Sequence, residues 1–499
     1  MAGSTSRTPT AVRTAVPVDR TGLLVLTGCA VLPFVVALAT AQAGVTQLIR
    51  LPDWWGGWPV RVPGEQLGWR VVAVLATAGW LASWAVLVRR LLRARTAPSG
   101  RDVTVVGALG AWGWVPFLVG GPTGSLDVGS YAAIGRLAAL GLDPYRTFPI
   151  VLGDSFGAAV DPMWRRTPTP YGPLQVGLFR WVAELAGHDQ QLAVLGIRAV
   201  AVLALAAGVV LVAAAAAPGD RAVAVALTAA NPLLVVHVVG GAHVDVLVGV
   251  GAVGVLLLVR RGVTTAAVVV AVLLTFLKLP GALLVAFVLA SLLRSPAPGA
   301  RAALARAVGA AAVTTAAVLV LAPNPLGWVG AMGVPGTVRN GTAPSTWLSY
   351  LLSWAVRDLG LDGALTVGRL VAALVGAGLA AWLLWRAAAG TPRQAMATVG
   401  LALLVLALSG PALYPWYLTW GLFAVAAAGG LRARWAVVAL STYLGLAGSL
   451  TEGLTVQLVA GACALALAGG ALWASDDLRA LLLRRPWALA RAGQTTVGG

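Results

Sequence analysis

A chain of 499 residues has the length of about three soluble domains. Its composition excludes them: 59% of the residues are hydrophobic and only 10% charged, more apolar than a globular chain can bury or cover. Disordered, collagen-like and coiled-coil chains need a polarity or a period that is missing, which leaves an all-α polytopic membrane protein.

The basic N-terminal stretch 1–20 reads as a cytoplasmic tail. The apolar run 21–43 is too long for a signal-peptide core and reads as an uncleaved first span. With about 20 apolar residues needed per crossing, the expected spans are 22–42, 71–88, 103–120, 191–217, 222–239, 243–259, 263–277, 279–293, 303–322, 364–385, 395–410, 414–430, 433–450 and 454–474, about 14 in all. A multi-pass region 21–474 is thus followed by a second cytoplasmic tail, 475–499. Lys and Arg number 35 against 17 Asp and Glu, a net charge of +18. The arginines fall in short clusters between apolar runs, at 7–20, 89–101, 260–261, 294–306, 386–393, 432–434 and 479–491. That is the pattern of orientation signals and not of a nucleic-acid stripe, and it puts both termini in the cytoplasm. Most acidic residues then fall at the opposite, extracytoplasmic face, where the long loops 121–190 and 323–363 also lie. The apolar piece 346–356 is too short to cross. Cys29 and Cys463 sit inside apolar runs, so neither a disulfide framework nor a metal cluster is indicated.

The first long loop opens a few residues beyond the third span with Asp127, followed by a helix-forming stretch that Gly141 and Asp143-Pro144 close. This predicts a short helix lying on the membrane with Asp127 and Tyr131 at its start. Further on, Trp164, Arg165, Arg166 and Tyr171 share a proline-rich extended stretch. His243 and Asp245 stand at the mouth of an apolar helix, a depth at which an ionisable group is a functional candidate. Lys278, the sole lysine, lies between two spans. Arg339 is the clearest cation of the next outer segment, and Trp328, Tyr414, Trp416 and Tyr417 offer faces on which a sugar or lipid can stack. Neither a dinucleotide fingerprint nor a phosphate-binding Gly-rich loop with its lysine is present.

The stretches DVGSYAAIGRLAALGLDPY, WRRTPTPYGPL, NPLLVVHVVGGAHVDVL, LKLPGALL, GWVGAMGVPGTVR and PWYLTW, in this order between about Leu126 and Trp420, resemble the actinobacterial polyprenol-phosphomannose-dependent α-1,6-mannosyltransferases, the MptA/MptB family of the GT-C superfamily. The resemblance implies a GT-C-type glycosyltransferase of the plasma membrane acting at the extracytoplasmic face. Its donor is polyprenyl-phosphate-mannose and its acceptor a mannosylated lipid or mannan, with neither a nucleic-acid partner nor an indicated cofactor or metal. It makes Asp127 the general base, the position of the catalytic carboxylate in GT-C enzymes. A departing phosphate needs cations, for which Arg165, Arg166, Lys278 and Arg339 are the candidates. Tyr131, Asp143, Tyr171, His243, Asp245, Trp416 and Tyr417 are candidates for substrate contact. Gly129 and Val244 depart from the family pattern, which has a bulkier and a more polar residue there.

Each of these residues also fits a plainer role. Asp127 suits a helix cap, and Asp143 a turn before proline. Tyr131, Trp416 and Tyr417 suit an aromatic belt, and Lys278 a snorkelling cation. Arg165 and Arg166 suit lipid headgroups equally well. His243 and Asp245, two residues apart, are poorly spaced for joint metal ligation on a helix. Two rival functions share the composition: a transferase using another lipid-linked sugar, and a transporter or flippase. Against transport, the polar residues gather at one face and not at the midplane.

Overall fold

The computed structural model describes residues 19–43, 66–94 and 98–447. The expected span 454–474, the tail 475–499, almost all of the tail 1–20 and Cys463 lie outside the described residues. Within them the chain forms α1 (Arg20–Gln42), α2 (Gln66–Leu92), α3 (Gly100–Val119), α4 (Asp127–Ala139), α5 (Ser155–Ala159), α6 (Pro173–Leu185) and α7 (Gln190–Ala215). Then come α8 (Arg221–Thr228), α9 (Pro232–Leu234, continued by a π-helical turn Val235–Gly240), α10 (Val246–Arg260), α11 (Thr264–Leu277), α12 (Gly281–Leu293) and α13 (Ala300–Leu321). The last are α14 (Gly327–Ala331), α15 (Pro344–Ala355), α16 (Gly360–Ala387), α17 (Pro392–Ser409), α18 (Thr419–Ala428) and α19 (Leu431–Ala447).

Polar residues mark where these apolar helices begin, because the first turn leaves backbone N–H groups without partners. Asp19 accepts from the Gly22 N–H at 2.6 Å, Asp189 from Leu192 at 2.8 Å, and Ser99 with Asp102, like Thr391 with Gln394, forms a reciprocal capping box. The interior is organised around α18, every residue of which is buried. It packs against α7, α8, α10 and α17, while α1 pairs with α2 and α16 with α17.

Among the described residues seven helices are long and apolar enough to cross a membrane: α1, α2, α3, α7, α13, α16 and α17. They coincide with seven of the expected spans. An eighth crossing results if α8 and α9, bent by 44° at the Thr228–Pro232 break, act together. The other expected crossings are shorter. α10, α11 and α12 have 15, 14 and 13 residues and rise about 20–22 Å, against a hydrocarbon core of ~30 Å. Segment 414–430 is a 3₁₀ turn followed by the 10 residues of α18, while α19 runs to the last described residue, so the expected span 433–450 is described only in part. The physical cause is visible at Lys278-Leu279-Pro280, where Pro280 has no N–H to continue the helix and the chain reverses into the paired α11 and α12. The piece around 346–356 is the 12-residue helix α15.

One expectation is corrected. The helix starting at Asp127 does not lie on a surface. Val128 to Gly135 are all buried, and α4 packs against α5, α6 and α7. Small residues permit this: a side chain at Gly135 would strike the Phe179 carbonyl oxygen at 2.3 Å.

Candidate active site

The long connection after α3 is drawn back onto the bundle by backbone contacts. Arg198 of α7 donates to the Gly120 carbonyl at 2.8 Å and to that of Gly240 at 3.4 Å, and the Thr123 N–H reaches Gly240 O at 3.1 Å. The start of α4 is thereby held beside the turn that carries His243 and Asp245. On the far side, Gly172 sits flush against the end of α11. Its N–H donates to Leu277 O at 3.2 Å, and a Cβ there would lie 2.0 Å from Phe276 O. Only glycine admits this approach, and it puts Tyr171 next to Lys278.

Between these elements lies a cavity of about 260 Å³, large enough for a sugar ring, lined by Asp127, Trp164, Tyr171, Lys278, Trp416 and Tyr417 among others. Pro280, at the tip of the short α11–α12 pair, forms part of the wall, and Met332, Val334 and Leu406 extend it as an apolar surface. The cavity thus sits against the tip of the short α11–α12 pair.

Two polar clusters adjoin it. In the first, the Lys278 ammonium pairs with Asp245, whose Oδ1 also accepts from the Trp420 indole at 3.1 Å. The ammonium lies 4.5 Å from the Tyr417 ring centre, 5.4 Å from Trp420 and 5.5 Å from Tyr171. Aromatic faces and one carboxylate therefore offset its burial. In the second, the Tyr131 hydroxyl and His243 Nδ1 are hydrogen-bonded at 2.7 Å. The His243 ring stacks on Trp416 at 3.5 Å between centres, and Tyr414 covers the other face of Trp416 at 4.8 Å. Trp416 is thus the middle layer of a three-ring stack whose edge lines the cavity.

Asp127 stands at the first turn of α4, where the helix dipole favours a negative charge. Its Oδ1 accepts from the Trp164 indole N–H at 3.2 Å. Burial, and after it the neighbouring Asp161, pushes the carboxyl up to about 7; the Trp164 N–H opposes the rise, Asp245 adds to it and Lys278 reduces it. A carboxyl at about 7 is the balance a general base needs near neutral pH, ionised in part and basic enough to take a proton.

The structure brings Asp127, Tyr171, Lys278, Trp416 and Tyr417 to the cavity wall, with Tyr131, His243 and Asp245 packed directly behind it. Trp328 and Tyr414 line the cavity as well, while Arg165, Arg166, Arg339 and Asp143 stand elsewhere. Arg165 gives Nε to Val160 O at 3.0 Å and Nη2 to Ala158 O at 2.8 Å, which leaves its guanidinium holding a turn. Arg166 is exposed outside the cavity lining, and Arg339 pairs with Asp362 at 3.1 Å among exposed residues. Asp143 accepts from Tyr145 N–H at 2.9 Å and from Asn324 Nδ2 at 2.8 Å, tying two loops together. Two residues not singled out as site residues reach the site: Trp164 through Asp127, and Trp420 through Asp245. Trp420 follows Trp416 and Tyr417 by four and three residues, a spacing that gathers rings on one helical face. No group of three or more potential metal ligands occurs among the described residues.

A bundle of apolar helices with an aromatic-walled cavity, one carboxylate poised near neutrality and one ion-paired ammonium defines a polytopic membrane protein built to handle a small polar substrate beside lipid. Residues 24–294 match the family model described as alpha-(1->6)-mannopyranosyltransferase, N-terminal domain, and residues 342–475 match the MptB C-terminal domain. The chain belongs to this family, and so to the glycosyltransferases. Among its relatives, an alpha-(1->6)-mannopyranosyltransferase of Mycobacterium tuberculosis is 29% identical over 380 residues, 63% of this chain and 64% of that protein. The match therefore spans slightly less than two thirds of that relative. A probable alpha-(1->6)-mannopyranosyltransferase of Mycolicibacterium smegmatis is 28% identical over 74% of this chain and 73% of its own. Alpha-(1->6)-mannopyranosyltransferase B of Corynebacterium glutamicum is 27% identical over 82% of this chain and 73% of its own. No solved structure matches the chain.

Proposed function

We propose that this protein transfers mannose from polyprenyl-phosphate-mannose to a mannan or lipoglycan acceptor, forming an α-1,6 linkage at the extracytoplasmic face of the plasma membrane. The fold on this reading is of GT-C type, its crossings including the short helices around α18. The arginine clusters support an orientation with the cavity opposite the cytoplasm.

Asp127 acts as the general base. It accepts the proton of the acceptor's primary hydroxyl as that oxygen bonds to the anomeric carbon. The bond from this carbon to the donor phosphate breaks, and its electron pair leaves with the phosphate oxygen. A β-linked donor and an α-linked product require inversion, for which one base suffices. Lys278 faces the departing phosphate: an ammonium has three donors and Asp245 engages it from one side, so N–H capacity remains as charge develops. Trp416 and Tyr417 supply stacking faces for the sugar, and the apolar wall around Met332 and Leu406 suits the first isoprene units.

The observation that carries this reading is the convergence of Asp127 and Lys278 on one cavity. The test is transfer of labelled mannose from polyprenyl-phosphate-mannose to a mannoside in membrane fractions. Asp127→Asn and Asp127→Ala are expected to lower the rate at least ~100-fold; full activity in either removes Asp127 from the mechanism.

A further inference from the structure

The loop between α4 and α6 contributes one side chain to the chemistry indirectly. Its anchoring starts at α4, where Arg136 Nε meets Asp154 at 3.2 Å and the guanidinium lies 5.6 Å from the Phe156 ring centre. Asp154 in turn caps α5, accepting from the Phe156 N–H at 3.0 Å. From α5 the chain turns back: Arg165 grips the carbonyls of Ala158 and Val160, the Ile150 N–H donates to Arg165 O at 2.9 Å, and the Trp164 N–H donates to Asp161 O at 2.8 Å. The turn bearing Trp164 is therefore fixed, by carbonyls and one ion pair, to the same helix that bears Asp127. A tryptophan placed by so many contacts, with its one polar atom on a half-buried carboxylate at the cavity wall, has a role beyond filling space.

We propose that Trp164 is the positioning residue for Asp127: its indole N–H holds one carboxylate oxygen and leaves the other to accept the acceptor's proton. The inference rests on the role given to Asp127 above. It also gives Arg165 a purpose, since the guanidinium that fails to reach the cavity is what presents Trp164 to it.

The consequence is a pH signature. Other charged or titratable groups bear on Asp127 from the packed elements: Asp161 from its own loop, Asp245 before α10, Lys278 after α11, and Tyr131, Tyr171, Tyr414 and Tyr417. All of them remain in a Trp164→Phe variant, which keeps an aromatic ring and deletes only the donor. A hydrogen bond to a charged group is strong enough that its loss raises an acid by about one pH unit. The acidic limb of the kcat profile is accordingly expected to move up by about one unit. The variant then runs about tenfold slower than wild type at pH 6 and within about twofold of it at pH 9.

The experiment is the kcat profile from pH 5.5 to 9 for wild type, Trp164→Phe and Asp127→Asn, with polyprenyl-phosphate-mannose and a mannoside acceptor. Recovery of the Trp164→Phe rate at high pH supports the proposal, because a misfolded variant is slow at every pH. An unshifted profile, or a deficit of the same size throughout, overturns it. Full activity in Asp127→Asn overturns the underlying assignment instead, so the two failures are distinguishable.

Discussion

Lys278 and Asp245 form a pair that neither can leave alone. Their side chains are 13% and 1% exposed, and removing one partner of a buried pair leaves the other charged and uncompensated, at a cost of about 3–5 kcal/mol. Lys278→Ala is thus expected to be both inactive and unstable. The double variant Lys278→Ala/Asp245→Asn regains most of the stability, since no charge is stranded, and stays inactive because the phosphate has lost its cation. Thermal unfolding in detergent beside transfer assays checks both. If the double variant recovers activity along with stability, Lys278 has only a structural task. Asp127 makes a further statement about stability. Its folded-state value of about 7 lies above the ordinary carboxyl value, so the folded protein holds this proton more tightly than the unfolded chain. Its contribution is intact at pH values below the unfolded value and is lost as pH rises through about 7. Asp127→Asn should accordingly raise the melting temperature at pH 8, by ~2 °C or more, and leave it nearly unchanged at pH 4.

Legibility from sequence divides according to how far a side chain reaches for its partner. Asp127, Tyr171, Lys278 and the adjacent Trp416 and Tyr417 stand in four separate stretches, and the family resemblance together with their place beside apolar runs was enough to gather them. The arginines were not separable in this way. A guanidinium satisfies a backbone carbonyl, a carboxylate or a phosphate equally well, and only the folded chain shows Arg165 on two carbonyls and Arg339 on Asp362. The pairing of Trp164 with Asp127 spans 37 positions and leaves no local pattern to read.

Among the elements, the ones that build the site are those that depart from the regular span. Hydropathy located α1, α2, α3, α7, α13, α16 and α17, because a single helix must bury itself in lipid along its whole length. It did not show that α10, α11 and α12 are shorter than a regular span, because apolar composition persists where a helix ends early against its neighbours. The turn between α11 and α12 forms part of the cavity wall, and Gly172 brings Tyr171 against its Lys278. Gly172→Ala inserts a methyl 2.0 Å from the Phe276 carbonyl, so the α6 start and Tyr171 must move away from Lys278. The expected result is a loss of about 1–3 kcal/mol of stability, as for other overpacked interiors, and a tenfold or greater fall in kcat. Gly177→Ala on the same helix meets nothing within 4 Å and serves as the control. Equal effects from both substitutions would show that α6 is sensitive to helix composition and not to this contact.

For the molecule as a whole, mechanism depends on orientation: a lipid-linked donor and an extracytoplasmic acceptor are useful only if the cavity opens away from the cytoplasm. On the proposed orientation Arg294 and Arg386, with Trp385 4.4 Å and Trp382 5.1 Å from their respective guanidinium centres, stand at the cytoplasmic interface near the ends of α12 and α16. Arginine and tryptophan are both at home at that depth, and arginine there favours the cytoplasmic side. The site lies toward the other ends of these same helices, since α12 begins at the Pro280 wall. Cysteine labelling decides the matter in a Cys29→Ser/Cys463→Ser background. Met163, 52% exposed beside the cavity loop, and Trp385, 54% exposed at the opposite end of the bundle, are the probe positions. In intact cells a membrane-impermeant maleimide is expected to modify Met163→Cys and to spare Trp385→Cys until the membrane is opened. The reverse pattern would turn the cavity inward, facing nucleotide-activated sugars. The donor would then have to be reconsidered before any residue in the site.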